Sequence, residues 1–133
     1  MQNNENTLEL VKKEQAVKLK VLGFDWPTEH LFLEQQETVF DDGKVYPKDN
    51  HNAYGDATYS APEIALAIKW LRKKQNINVS VETDYSDPNN IVHNAVIRNE
   101  VFKTLKVSSY FDHEAAERNG LQLALEYLLT LRI

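Results

Sequence analysis

The chain has 133 residues, 42% hydrophobic and 26% charged, the size and composition of one globular domain and outside the range of wholesale disorder. Its lack of cysteine removes disulfides, thiolate zinc sites and cysteine nucleophiles, and no apolar run nears the ~20 residues that span a bilayer. The net charge of −5 lies in residues 1–60, with six basic against eleven acidic side chains, while residues 61–133 hold nine of each; an acidic whole disfavours a phosphate backbone.

The opening "MQNNENTLEL" has neither the cationic region nor the apolar core of a signal peptide, so a cytoplasmic protein with no membrane segment is expected, with residues 1–7 frayed. Residues 12–22 read as a short helix carrying Ala16, Leu19 and the Val17/Val21 pair at helical spacing. Gly23 stands where a left-handed stop belongs, Phe24 can fold back, and Pro27 blocks continuation. Residues 30–36 suggest one strand. Residues 41–58, dense in Asp, Asn, Gly and Pro, read as a long loop with a brief extended piece at 44–46.

"YSAPEIALAIKWLRKK" (59–74) reads as a helix capped by Ser60, with Glu63 three residues on, Tyr59 and Ile64 in the staple positions and Pro62 in the first turn. Ile64, Ala67, Ile68 and Leu71 form its apolar stripe, flanked by Leu66 and Trp70. Lys69, Arg72, Lys73 and Lys74 crowd its end, where the helix dipole favours cations. The period then changes to two: Ile77, Val79 and Val81 mark one strand, residues 91–98 a second with Ile91, Ala95 and Ile97 on one side, and residues 101–109 a third after a reversal at Asn99-Glu100. Asp112 caps a last helix whose buried face is Ala116, Gly120, Leu123, Ala124, Tyr127, Leu128 and Leu131, with Gly120 marking close approach to the sheet. These elements make residues 1–133 a single α+β domain. Its core is α-β-β-β-α: an antiparallel sheet of three or four strands with two main helices on one face, plus a short N-terminal helix.

No nucleophile elbow, P-loop, dinucleotide fingerprint, zincin or EF-hand pattern occurs, and no catalytic, cofactor-binding or metal residue is assigned. His30, His51, His93 and His113 are dispersed along the chain; His51 with Asp49 and Asp56 is the one local cluster of ligand types, the seed of a hydrolase reading. Lys69, Trp70, Arg72, Lys73 and Lys74 are the candidate partner-binding residues. They could meet a protein, or phosphate with Trp70 or Tyr85 stacking on a base. Helix, three strands, helix is also the order of double-stranded-RNA-binding domains, but the entrance to the last helix, "DHEAAERNG", is acidic and would repel phosphate.

Three phrases, "LKVLGFDWPT" (19–28), "YSAPEIALAIKWLR" (59–72) and "EAAERNGLQLALEYLL" (114–129), resemble a family of small uncharacterised bacteriophage and prophage proteins of Bacteroidota. Glu63 stands where that pattern often has threonine, a change that suits a capping box. The resemblance implies a mobile-element origin and a bacterial cytoplasm, and carries over no functional residue. The leading expectation is a non-enzymatic accessory protein acting by protein–protein binding or self-association. The alternatives are a nucleic-acid-binding module using the basic helix end and a small metal- or acid/base-dependent hydrolase.

Overall fold

A computed structural model describes residues 9–44, 47–99, 101 and 103–132. The expected fraying of 1–7, most of the extended piece at 44–46 and the Glu100 half of the reversal fall outside them. The order is α1 (Lys13–Leu22), β1 (Leu31–Leu33), a 3-10 turn (His51–Tyr54), β2 (Thr58–Ser60), α2 (Ile64–Lys74), β3 (Asn78–Asp84), β4 (Val92–Arg98), β5 (Thr104–Tyr110) and α3 (His113–Thr130). β3-β4-β5 is an antiparallel meander, and β1-β2 is a separate antiparallel ribbon. The α+β class and the helix–three strands–helix core stand as read from the sequence.

α1 stops as its sequence dictates. Gly23 takes φ 96°, Phe24 N returns to Leu19 O at 2.9 Å and Gly23 N to Lys20 O at 3.0 Å, a Schellman motif. Its buried stripe is Gln15, Ala16, Leu19 and Leu22, however, while Val21 is 55% exposed. The Val17/Val21 pair loses its place because polar Gln15 is needed inside: its Oε1 accepts from Lys12 N at 3.0 Å and its Nε2 donates to Arg118 O at 3.1 Å.

The sequence reading of α2's start is corrected. Ser60 does not cap the helix; it ends β2 opposite Leu31, and α2 begins at Ile64 with Glu63 at the cap position. Proline biases its predecessor, Ala61, away from helical geometry, and Ala61 N donates instead to His30 O at 2.9 Å. Ser60 is buried, its N–H donating to Asn52 Oδ1 at 2.8 Å and its Oγ accepting from Asn52 N at 3.1 Å, which fixes the 3-10 turn against the ribbon. Tyr59 is therefore not a staple. It lies under Lys20, whose Nζ is 4.9 Å from the ring centroid and donates to Thr58 O at 2.7 Å. The presumed loop 41–58 thus holds a 3-10 turn, the Thr28–Asp49 bridge and the first residue of β2.

α3 lies on the sheet face formed by Val79, Ala95 and Ile97, and α2 packs beside it against β3. A Cβ on Gly120 would stand 3.0 Å from Val79 Cγ1 and 3.1 Å from Ala95 Cβ, so the close approach read from the sequence is real. α3 is buried more widely than expected. Leu121 and Leu125 join Ala116, Gly120, Ala124 and Leu128 in the core, whereas Leu123 and Tyr127 are half-buried and Leu131 is 63% exposed. Contact with the sheet, α1 and α2 together demands this broader face. Ile91 falls outside β4 and is exposed.

All three helices run parallel. Their starts converge where Glu9 O accepts from Ile64 N at 2.7 Å, Arg118 Nη2 pairs with Glu9 at 2.8 Å and Arg118 Nη1 donates to Leu10 O at 3.0 Å. Their ends converge where Gln75 Nε2 donates to Leu22 O and Arg132 Nη1 to Val21 O, each at 3.3 Å, with Trp70 edge-on to Phe24. An odd number of antiparallel strands between two helices on one face requires that direction for α2 and α3.

Candidate functional site

Parallel helices add their dipoles, leaving partial positive charge where they start and partial negative charge where they end. The sequence answers in part, with the acids Glu9, Glu63, Asp112, Glu114 and Glu117 near the starts and the cations Arg72, Lys73, Lys74 and Arg132 at or just past the ends. α1 nevertheless opens on Lys12 and Lys13, and the last turn of α3 holds no cation. Asp112 caps α3 by accepting from Glu114 N at 3.3 Å. The acids also crowd one another. A hydrogen bond with Glu9, and then the charges of Glu9, Asp112 and Glu117, push the Glu114 carboxyl above its ordinary value.

A carboxyl that holds its proton more tightly folded than unfolded stabilises the fold below the ordinary glutamate range. It loses that contribution as pH rises through the raised folded value. Glu114→Gln is therefore expected to raise Tm slightly at neutral pH and to leave it unchanged in acid. Thermal melts across that range check it; an equal change at both ends of the range contradicts the electrostatic origin.

Beside the helix starts opens a cleft of about 510 Å³, with Leu10, Leu31, Val39 and Phe40 as its apolar lining and Glu29, His30, Asp41, Asp42 and Lys44 as its polar one. Leu31 and Phe40 also wall a second cavity of about 320 Å³, completed by Leu33, Pro47, His51 and Tyr54. Phe40 is held between the two by its N–H, which donates to Leu31 O at 2.8 Å. Tyr54 donates its hydroxyl proton to Asp49 at the edge of the second cavity. Asp41 Oδ1 accepts from Gly43 N at 2.8 Å, which turns the chain at the rim. The result is a carboxylate-bearing apolar cleft, a geometry suited to apolar side chains on a cationic segment.

The structure separates the five candidate partner-binding residues. Trp70 is 2% exposed, its ring centroid 5.3 Å from that of Phe24, so it offers no stacking face. Lys69, Arg72, Lys73 and Lys74 are exposed, and among the described residues none of the four makes a side-chain hydrogen bond or ion pair. Exposed Val21 and Leu131 lie at the same end of the molecule, beside the Arg132–Val21 contact.

His51, Asp49 and Asp56 do not assemble a coordination sphere. His51 is buried and its Nε2 donates to Thr28 O at 2.8 Å, while Asp49 and Asp56 are exposed. His93 and His113 do meet, with ring centroids 5.4 Å apart, and Thr83 Oγ1 lies 2.9 Å from His93 Nδ1. Among the described residues no three His, Asp or Glu side chains are placed to share a metal. Nor is any helix among them long and apolar enough to cross a membrane. The entrance to α3, where an RNA-binding domain of this element order would present basic residues, carries Asp112, Glu114 and Glu117.

Sequence reading missed the cleft. Its apolar lining is drawn from Leu10, Leu31, Val39 and Phe40, none of which stands in a periodic run long enough to register, and the bridge to Glu63 that places Leu10 is a tertiary event. The signal that could have found it is "VFDD" (39–42), two apolar residues running into two acids. No protein-family model matches this chain, and neither a curated protein nor a solved structure does.

Proposed function

We propose that this chain is a non-enzymatic protein-binding module, an accessory protein of the phage or prophage kind its sequence resembles, acting in a bacterial cytoplasm. Its cleft takes a segment of a partner protein that carries apolar side chains between lysines or arginines. The observation that carries the reading is the apolar lining of Leu10, Leu31, Val39 and Phe40 set among the acids Glu29, Asp41 and Asp42, which outnumber the cation Lys44. Apolar side chains supply the affinity by leaving water, at roughly 25 cal/mol per Å² removed from it, and the carboxylates select a cationic partner and speed its arrival.

The test is NMR titration with a short peptide alternating leucine with lysine. Expected are shifts confined to Leu10, Leu31, Val39 and Phe40, and a roughly tenfold weaker affinity in Glu29→Lys/Asp41→Lys, the loss of about 1.4 kcal/mol. A peptide with glutamate for lysine should not bind. Shifts that instead gather at the Lys69–Lys74 end, or salt-dependent RNA binding there, overturn the assignment.

A further inference from the structure

The end at which the helices finish has the inverse chemistry of the cleft. Lys69, Arg72, Lys73 and Lys74 have no side-chain partner among the described residues. Val21 and Leu131, exposed by 55% and 63%, lie at that same end. Exposed apolar side chains at the same end as unpaired cations cost solvation and make no contribution to the monomer's core. They also serve a phosphate backbone poorly, because Trp70 is inside, and the exposed rings of Tyr85 and Phe111 stand past the far ends of β3 and β5, away from these cations. A surface of valine, leucine and cations fits a surface of apolar residues and carboxylates, and this chain carries one at its opposite end.

We propose that the partner segment taken by the cleft belongs to a second copy of this chain, which enters by the end where α1, α2 and α3 finish. The inference rests on the binding reading of the cleft and names its partner. Because the helices are parallel, the two surfaces lie at opposite ends of one axis, and successive copies stack with their dipoles aligned head to tail. Such a contact joins two different patches, so it does not close on itself in a pair. It repeats into short linear chains. Charges of −5 per copy oppose the stacking overall, which keeps the association weak and makes it depend on the local match of Arg72 and Lys73 with Glu29 and Asp41.

Sedimentation velocity on the full chain tests this with two half-blocked variants. Arg72→Ser/Lys73→Ser/Leu131→Ser disables the basic end and keeps the cleft; Glu29→Lys/Asp41→Lys disables the cleft and keeps the basic end. Wild type is expected to sediment faster with rising concentration at low salt, and to return to a monomer in about 1 M salt, where the screening length is about 3 Å. Each variant alone should stay monomeric. Their equimolar mixture should form a one-to-one pair and nothing longer, which also shows that both variants are folded.

Wild type that stays monomeric at low salt up to about 1 mM overturns the proposal. So do variants that still self-associate singly, or a mixture that stays monomeric. The leucine–lysine peptide keeps this failure distinct from failure of the cleft itself. A cleft that takes the peptide while wild type remains monomeric points to a different protein as partner.

Discussion

Trp70→Ala is expected to cost about 3–5 kcal/mol, the range for emptying a tryptophan site in a packed core. Trp70 is 2% exposed and meets Phe24 edge-on, and Phe24 in turn meets Trp26 at 6.5 Å between ring centroids. The ring therefore joins α2 to the segment that follows α1, and truncation leaves Phe24 facing a void. A domain of this size has about 5–15 kcal/mol in hand. The substitution should lower Tm by roughly 10–20 °C, judged at a few degrees per kcal/mol. Trp70→Phe keeps an edge-on partner for Phe24 and should lose about half as much. Lys73→Ser, one turn away on the surface, should move stability by no more than about 0.5 kcal/mol. Chemical denaturation of the three variants checks the order. If Trp70→Ala proves as mild as Lys73→Ser, the ring is not the core element described.

Gly120 presents a contest between two effects of opposite sign. Alanine in its place would gain about 1 kcal/mol of helix propensity. The added carbon would meet Val79 Cγ1 at 3.0 Å and Ala95 Cβ at 3.1 Å, closer than packed carbons sit. Val79 can turn its methyl away, but Ala95 is fixed to the central strand β4, paired on both sides, and moves only with the sheet. Overpacking at such a site costs about 1–3 kcal/mol. Gly120→Ala is expected to lose about 1 kcal/mol net, and Gly120→Val, with two further methyls, at least 3 kcal/mol. A denaturation series of glycine, alanine and valine reads the slope directly. An alanine variant more stable than wild type would show that the sheet yields at this point.

What the sequence disclosed was set by how local the determining physics was. Gly23, Asp112 and the alternation in β3 act within a few residues of themselves, and each element they specify is present where it was read, although the buried faces of α1 and α3 differ. Ser60 shows the opposite case. Its spacing to Glu63 imitates a helix start, but Pro62 and the pairing with Leu31, twenty-nine residues away, outweigh a local cap. Gln15 is likewise a surface residue by type and a core residue by use, because Arg118 O waits for its amide. The basic end of α2 was legible, since four cations in six residues need no tertiary information. That Trp70 points away from them, and that Val21 and Leu131 join them, follows only from the parallel packing of three helices. The cleft was illegible for the same reason: its walls come from the chain's first described residues, the ribbon and the approach to the long turn.

The bonds that tie Gln15 and Glu9 to Arg118 span 103 and 109 residues of sequence. A growing polypeptide cannot make them until α3 has left the ribosome, so α1, which meets β2 and the end of α2 sooner, completes its packing only then. Until then its buried side of Ala16, Leu19 and Leu22 is covered only in part, by β2 and the end of α2. Loops of that length close slowly, and contacts so distant delay the folding barrier's crossing. The uncovered part of α1 must thus be kept from other surfaces until α3 arrives.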